Sequence, residues 1–245
     1  DPRLLIEAKE GTVTVRHLHG KPKVDTFKDA GSPLPIIRSI MKQYRFVEIP
    51  GLPRFCGGLV GYIGYDTIRY FEHLPNKPKD DTGLPETVLI LAQDLVIFDH
   101  INHKIKIVSC VFNENDASET QKLKNYTIAC QHIQKILTDL RKPLDTSIDP
   151  ALQQNSKPMT FRSNMDEKTY TKMLLRAKKE IYNGEIIQTV LSQRFETKLK
   201  TDPINVYRAL RALNPSPYMY FLNFKDVQLV GSSPELLVRC EDGSV

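Results

Sequence analysis

No apolar run in the 245 residues approaches the ~20 that a membrane-spanning helix requires. The opening residues Asp1-Pro2-Arg3-Leu4-Leu5-Ile6 carry neither a basic leader nor a cleavage signature. Membrane insertion and secretion are therefore not expected, and the chain reads as cytoplasmic. Cysteine is scarce: Cys56, Cys110, Cys130 and Cys240 lie far apart with no C-x-x-C pair. That argues against a disulfide scaffold and predicts free thiols in a reducing compartment. Charge of one sign is also lacking, since 34 basic residues face 29 acidic ones for a net +5. The densest basic cluster, Arg176 with Lys178 and Lys179, is interleaved with apolar positions as on a solvated helix face. Without zinc-finger spacing, an aromatic RNA-binding signature or a basic arm, no nucleic-acid partner is expected.

Several catalytic signatures are missing too. There is no phosphate-binding G-x-x-x-x-G-K-[ST], and glycines 57, 58, 61 and 64 do not make G-x-G-x-x-G. G-x-S-x-G and H-x-x-x-H are absent. His17 and His19 alternate on a probable strand, but with no third ligand nearby they read as surface histidines.

What remains is ordinary globular composition, 40% hydrophobic and 26% charged. A chain of this length can bury roughly 70% of its extended surface. Residues 3–8 and 12–18 alternate around Glu10-Gly11 as a β-hairpin. Ser32-Pro33 opens a short helix carrying Ile36, Ile37, Ile40 and Met41. Val88–Ala92, Leu95–Phe98 and Lys104–Val108 read as strands, and 117–140 as a long helix. The Pro-, Ser- and Asn-rich stretch 142–160 reads as a linker between a lobe over 1–141 and a second domain over 161–245. Beyond it, Asp166 caps a helix that Asn183-Gly184 ends. A long strand from Ile186 to about Leu199, a helix over 203–213 and strands near 218–224, 227–232 and 235–239 follow. Short turns between strands and isolated helices predict an α+β fold, mostly antiparallel sheets packed as a two-layer sandwich with outer helices, incomplete in this chain. The chain lacks an initiator methionine and ends on a turn, Glu241 to Val245, that awaits a return strand, so both ends read as cut.

Four stretches carry chemistry in combination. They are Gly57-Gly58-Leu59-Val60-Gly61-Tyr62-Ile63-Gly64-Tyr65-Asp66 with Arg69-Tyr70-Phe71-Glu72; Gly184 to Phe195; Asn214-Pro215-Ser216-Pro217-Tyr218-Met219-Tyr220-Phe221-Leu222; and Gly231-Ser232-Ser233-Pro234-Glu235-Leu236-Leu237. Their order and spacing resemble the chorismate-utilising enzymes, and most closely the anthranilate synthase component I group, over essentially the whole chain. The resemblance implies an enzyme that aminates chorismate and eliminates pyruvate to give anthranilate. It also implies Mg2+ as cofactor, ammonia from a glutamine amidotransferase subunit, and feedback inhibition by tryptophan. The alternatives are an aminodeoxychorismate or isochorismate synthase, or a truncated, non-catalytic tryptophan- or subunit-binding module.

Two sets of site residues follow from the resemblance. At the position of Gln188 the water-adding members carry a lysine, which can act as a general base. An amide takes up no proton at neutral pH, and ammonia attacks without first losing one, so Gln188 fits amination. On the predicted strand it shares a face with Val190, Ser192 and Arg194. Pro217, Tyr218 and Met219 match residues that line the tryptophan site, where a stiff proline turn and a thioether suit an aromatic ligand. The family's metal-binding glutamates, active-site histidine and Gly-Thr contacts match nothing in this sequence, nor does the Leu-Leu-Glu-Ser stretch that forms the other wall of the tryptophan site. No metal ligand is assigned in this chain, which alone is expected to make no anthranilate.

Overall fold

The computed structural model describes residues 2–143, 159–241 and 243–245. The chain divides into two compact units, Asp1–Leu144 and Asp145–Val245. Of the linker expected over 142–160, residues 144–158 lie outside the described residues.

In the first unit, β1 (Pro2–Lys9) and β2 (Thr12–His17) form the expected antiparallel hairpin. Both turn residues, Glu10 and Gly11, take positive φ, the backbone whose twist matches the flanking strands in a two-residue loop. β3 (Lys23–Phe27) adds to the outside of β2. Sequence pattern did not reveal it, because an edge strand with most side chains in solvent needs no hydrophobic alternation. Helix α1 (Leu34–Met41) follows, then β4 (Gly58–Ile63), a 3-10 turn over Tyr65–Tyr70, and β5 (Thr87–Ala92). The sheet runs β3-β2-β1-β5-β4.

Alternation along these strands builds the core. Leu4, Ile6 and Ala8 of β1, Val13 and Val15 of β2, and Leu89 and Leu91 of β5 form one buried cluster, joined by Ile40 of α1. Ile36 and Ile37 pack against it, so α1 covers one face of the sheet. The unit closes with the hairpin β6 (Asp94–Asp99) and β7 (Lys104–Ser109), along which α2 (Glu119–Leu140) packs. The Ser118 side chain caps α2 by accepting from the Gln121 amide at 3.2 Å.

The second unit contains β8 (Arg162–Ser163), α3 (Glu167–Tyr182), β9 (Phe195–Glu196), α4 (Pro203–Leu213), β10 (Tyr218–Asn223) and β11 (Gln228–Ser233). Asp166 caps α3 by accepting from the Thr169 amide at 2.7 Å, and hydrogen bonds from Thr169 hold its carboxyl below the usual range. Gly184, at φ +80°, ends the helix. Every named strand pairing in the chain is antiparallel, so the structure is α+β with antiparallel sheets, as the sequence implied.

Two expected strands are corrected. The long strand from Ile186 to Leu199 is reduced to Phe195–Glu196, and residues 235–239 form none. A strand persists where its amides and carbonyls meet a neighbour. Among the described residues β9 pairs with β8 alone, over two residues. Upstream of that pair Ile187 and Val190 are 96% and 81% exposed.

Candidate functional site

The third and fourth stretches of sequence meet in one hairpin. Asn214 ends α4, its amide still donating to the Leu210 carbonyl at 2.9 Å. The chain then passes through Pro215 and Pro217, which have no amide hydrogen to fix the turn. Side chains supply the missing donors. Ser216 Oγ donates to the Ser233 carbonyl at 2.8 Å, and Ser232 Oγ donates to the Asn214 carbonyl at 2.9 Å. The ladder begins immediately after, with Tyr218 opposite Ser233, Met219 opposite Ser232 and Tyr220 opposite Gly231. Ser233 Oγ continues the pattern by donating to the Glu235 carbonyl at 3.0 Å.

Strand alternation then divides the residues expected to line a tryptophan site. Met219 shares a face with Phe221, whose ring lies 6.2 Å from that of Tyr207 on α4. Tyr218 and Tyr220 share the other face, 38% and 43% exposed. The Tyr220 ring covers Gly231 so closely that a Cβ there would stand 2.6 Å from its Cε1. Pro217, Tyr218 and Met219 are thus consecutive at the mouth of the hairpin, with Tyr218 and Met219 facing opposite ways.

Gln188 lies in the irregular stretch between α3 and β9, exposed to solvent. The face it was expected to share with Val190, Ser192 and Arg194 required a strand that is not formed. The structure brings Arg194 instead to Asn164, whose side-chain oxygen accepts from the Arg194 amide at 3.0 Å.

The glycine-rich stretch serves the frame of the first unit. A Cβ on Gly61 would collide with the Val88 carbonyl and lie 2.9 Å from Leu89 Cα, and one on Gly64 would lie 2.8 Å from the Glu86 carbonyl. Having no Cβ, these glycines let β4 and the residue that follows it approach the β5 backbone and the Glu86 carbonyl. Arg69 is held by Asp66 Oδ1 at 2.6 Å and the Leu74 carbonyl at 2.8 Å. The Tyr70 hydroxyl donates to the Glu86 carboxylate and accepts from the Gly11 amide. Burial, then Glu86, pushes that phenol above its ordinary pKa.

A separate cluster in the first unit was not legible in the sequence. Asp94, Ser109 and His132 come from β6, β7 and α2, with Ser109 Oγ donating to Asp94 Oδ1 at 2.6 Å and His132 Nδ1 lying 3.4 Å from Asp94 Oδ2. Their distance apart along the chain leaves no linear signal. His132 lines an open cleft of about 640 Å³ with Arg3, Gln93, Cys110 and Asn125. None of the expected site residues borders it. Burial raises the pKa of the Cys110 thiol, which favours its inert protonated form.

Among the described residues, no group of three or more His, Cys, Asp or Glu side chains could hold a metal ion. These residues therefore do not fit a magnesium site by themselves. Among them, too, no helix is long and apolar enough to cross a membrane.

The antiparallel α+β frame carries the third and fourth stretches of sequence in the one β10–β11 hairpin. The chain belongs to the chorismate binding enzyme family, which matches residues 5–245. It is 38% identical over 251 residues to anthranilate synthase component 1 of Acetivibrio thermocellus, covering 100% of this chain and 48% of that protein. It is 36% identical over 250 residues to the chloroplastic anthranilate synthase alpha subunit 2 of Arabidopsis thaliana, covering 100% of this chain and 40% of that one. Its fold matches the crystal structure of anthranilate synthase component I from Streptococcus pneumoniae TIGR4 with a TM-score of 0.73 at 28% identity, over 99% of this chain and 51% of that chain. The chain spans about half the length of the relatives it matches.

Proposed function

We propose that this chain is part of the synthase subunit of an anthranilate synthase. In this reading residues 1–141 are its amino-terminal lobe and 161–245 the first part of its chorismate-binding domain. The reaction is the lyase step in which ammonia adds to chorismate, water leaves, and elimination of pyruvate yields anthranilate. The observation that carries the reading is the joining of Asn214–Leu222 to Gly231–Leu237 in one hairpin. Its support is the similarity of the whole chain to proteins named anthranilate synthase component 1.

Gln188 is assigned to the environment of the incoming ammonia, where its amide can donate and accept hydrogen bonds but cannot remove a proton at neutral pH. Pro217, Tyr218 and Met219 are assigned to a tryptophan site that restrains the enzyme from outside the reaction centre. Ammonia is supplied by a glutamine amidotransferase partner, and Mg2+ is held by ligands other than the described residues. The cytoplasm is the proposed location, although the plant relatives carry chloroplastic names.

The test is the product made by the full-length protein from chorismate and ammonium, followed by anthranilate fluorescence and identified chromatographically. Anthranilate with equimolar pyruvate is expected. Isochorismate or aminodeoxychorismate as the product would overturn the reading, and so would the absence of any turnover.

A further inference from the structure

Ser232 belongs to the fourth stretch, eighteen residues downstream of the Asn214 carbonyl it bonds, and nothing assigned so far gives it a role beyond the strand. Its position is unusual in one respect. It is the direct cross-strand partner of Met219, yet its hydroxyl reaches back to the carbonyl of Asn214, the residue where α4 ends. One side chain therefore joins the end of α4, the start of the turn and the strand that opposes Met219.

The need for such a tie follows from the turn's composition. With prolines at 215 and 217, two of the four residues between 214 and 217 offer no backbone donor. Proline narrows φ within the turn but does not by itself fix where the turn stands against the next strand. The hydroxyls of Ser216 and Ser232 do so by crossing in opposite directions. Ser216 donates from the turn to β11, and Ser232 donates from β11 to the turn. A small lateral shift of the turn would break both bonds. At the next pair along, the Tyr220 ring against Gly231 leaves no room for the strands to slide together without moving the ring.

We infer that Ser232 is a positioning residue for tryptophan inhibition: by bonding the Asn214 carbonyl, and in concert with Ser216, it sets the placement of Pro217, Tyr218 and Met219 that the ligand recognises. This rests on the reading of that turn as the tryptophan site. Ser232 acts through the turn's backbone and does not itself contact the ligand. Its loss therefore loosens tryptophan binding by allowing the turn to adopt other placements, and a ligand must then select the competent one.

The experiment is tryptophan inhibition of the full-length enzyme and its Ser232→Ala, Ser232→Thr and Ser216→Ala variants, with chorismate kinetics measured in parallel. A hydrogen bond of this kind is worth a change of about threefold or more in a binding constant. Ser232→Ala and Ser216→Ala are each expected to raise the half-inhibiting tryptophan concentration by about that factor. Chorismate KM should move by less, and Ser232→Thr, which keeps the hydroxyl, should restore sensitivity. Tryptophan inhibition of the parent that Ser232→Ala leaves intact would overturn the inference while sparing the assignment of the site. Equal changes in chorismate KM and tryptophan sensitivity, or failure of Ser232→Thr to rescue, would also overturn it by reducing the role to general folding. A parent enzyme indifferent to tryptophan would overturn the assignment of the turn itself. Should Ser232→Ala fail to fold, Ser216→Ala and Ser232→Thr decide the matter by the same comparison.

Discussion

Gly61 and Gly231 both sit in strands closely covered by a neighbour, but different atoms cover them. At Gly61 a new Cβ would strike the Val88 carbonyl and Leu89 Cα, backbone atoms of β5 held between β1 and β4 in the five-stranded sheet. At Gly231 it would strike the Tyr220 ring, which is 43% exposed and can swing into solvent. Gly61→Ala should therefore cost about 1–3 kcal/mol as overpacking, and Gly231→Ala about 1 kcal/mol or less. Urea unfolding of the two variants checks the ranking, and an equal cost would mean that the ring is as immobile as the sheet. Asp99 gives a pH-dependent case at the same scale. Hydrogen bonds from Lys106 and then Asn102 hold its carboxyl well below the usual carboxylate range. With a depressed folded-state pKa, its contribution is fully present above the unfolded value of about 3.9 and is lost as pH falls from there through the folded value. Asp99→Asn should thus lower Tm at neutral pH, and its gap from the parent should close as the medium is acidified below about pH 4. A gap that stays constant to low pH would show that the charge of Asp99 is not what holds the β6–β7 turn.

Among the elements, β1 is the one on which the first unit depends, since it lies between β2 and β5 and has three consecutive inward positions buried. Ile6 at its centre is 0% exposed. Ile6→Ala should destabilise the unit by about 2–5 kcal/mol, seen as a lower urea midpoint with little change in slope. A loss under about 1 kcal/mol would mean that the α1 and β5 side chains collapse into the space. Elements like β1, β5, α2 and α3 were legible because their signals are local: alternation in β1, a short apolar run in β5, a capping Ser118 or Asp166, and a terminating Gly184. The stretch 186–194 was misread for the same reason. The motif it belongs to is a local pattern in the sequence, but a strand also needs a partner, and that is a non-local property. The turn through Pro215 and Pro217 was legible as a motif, while the serine cross-ties that pin it were not, because they depend on the β10–β11 register. Amide exchange separates these cases: residues 186–194 in this chain should exchange far faster than β1 or β5. Protection of 186–194 comparable to β1 would mean that a ladder partner does form.

At the scale of the molecule the two units differ in how well they satisfy their own apolar faces. The first encloses a cluster drawn from β1, β2, β5 and α1. In the second, Ala177 is the one buried hydrophobic residue among those described. Leu175, Tyr182, Leu213 and Leu237 are all more than half exposed, Leu237 completely. These side chains come from α3, α4 and the segment after β11, so the exposure is spread over the unit rather than confined to one binding patch. Apolar surface of that extent is seldom left in water by a stable monomer, and β10–β11 and β8–β9 are two-stranded, which is marginal in isolation. The physical expectation is a chain with one well-packed unit and one that depends on further burial. Purified as these 245 residues, it should bind a hydrophobic dye such as ANS and self-associate in a concentration-dependent way. Limited proteolysis should cut the second unit well before the first. The full-length protein should bind the dye weakly and resist the protease throughout. A monodisperse 245-residue monomer that ignores the dye and loses both units to protease at one rate would mean that the second unit buries these residues within itself, against the packing described.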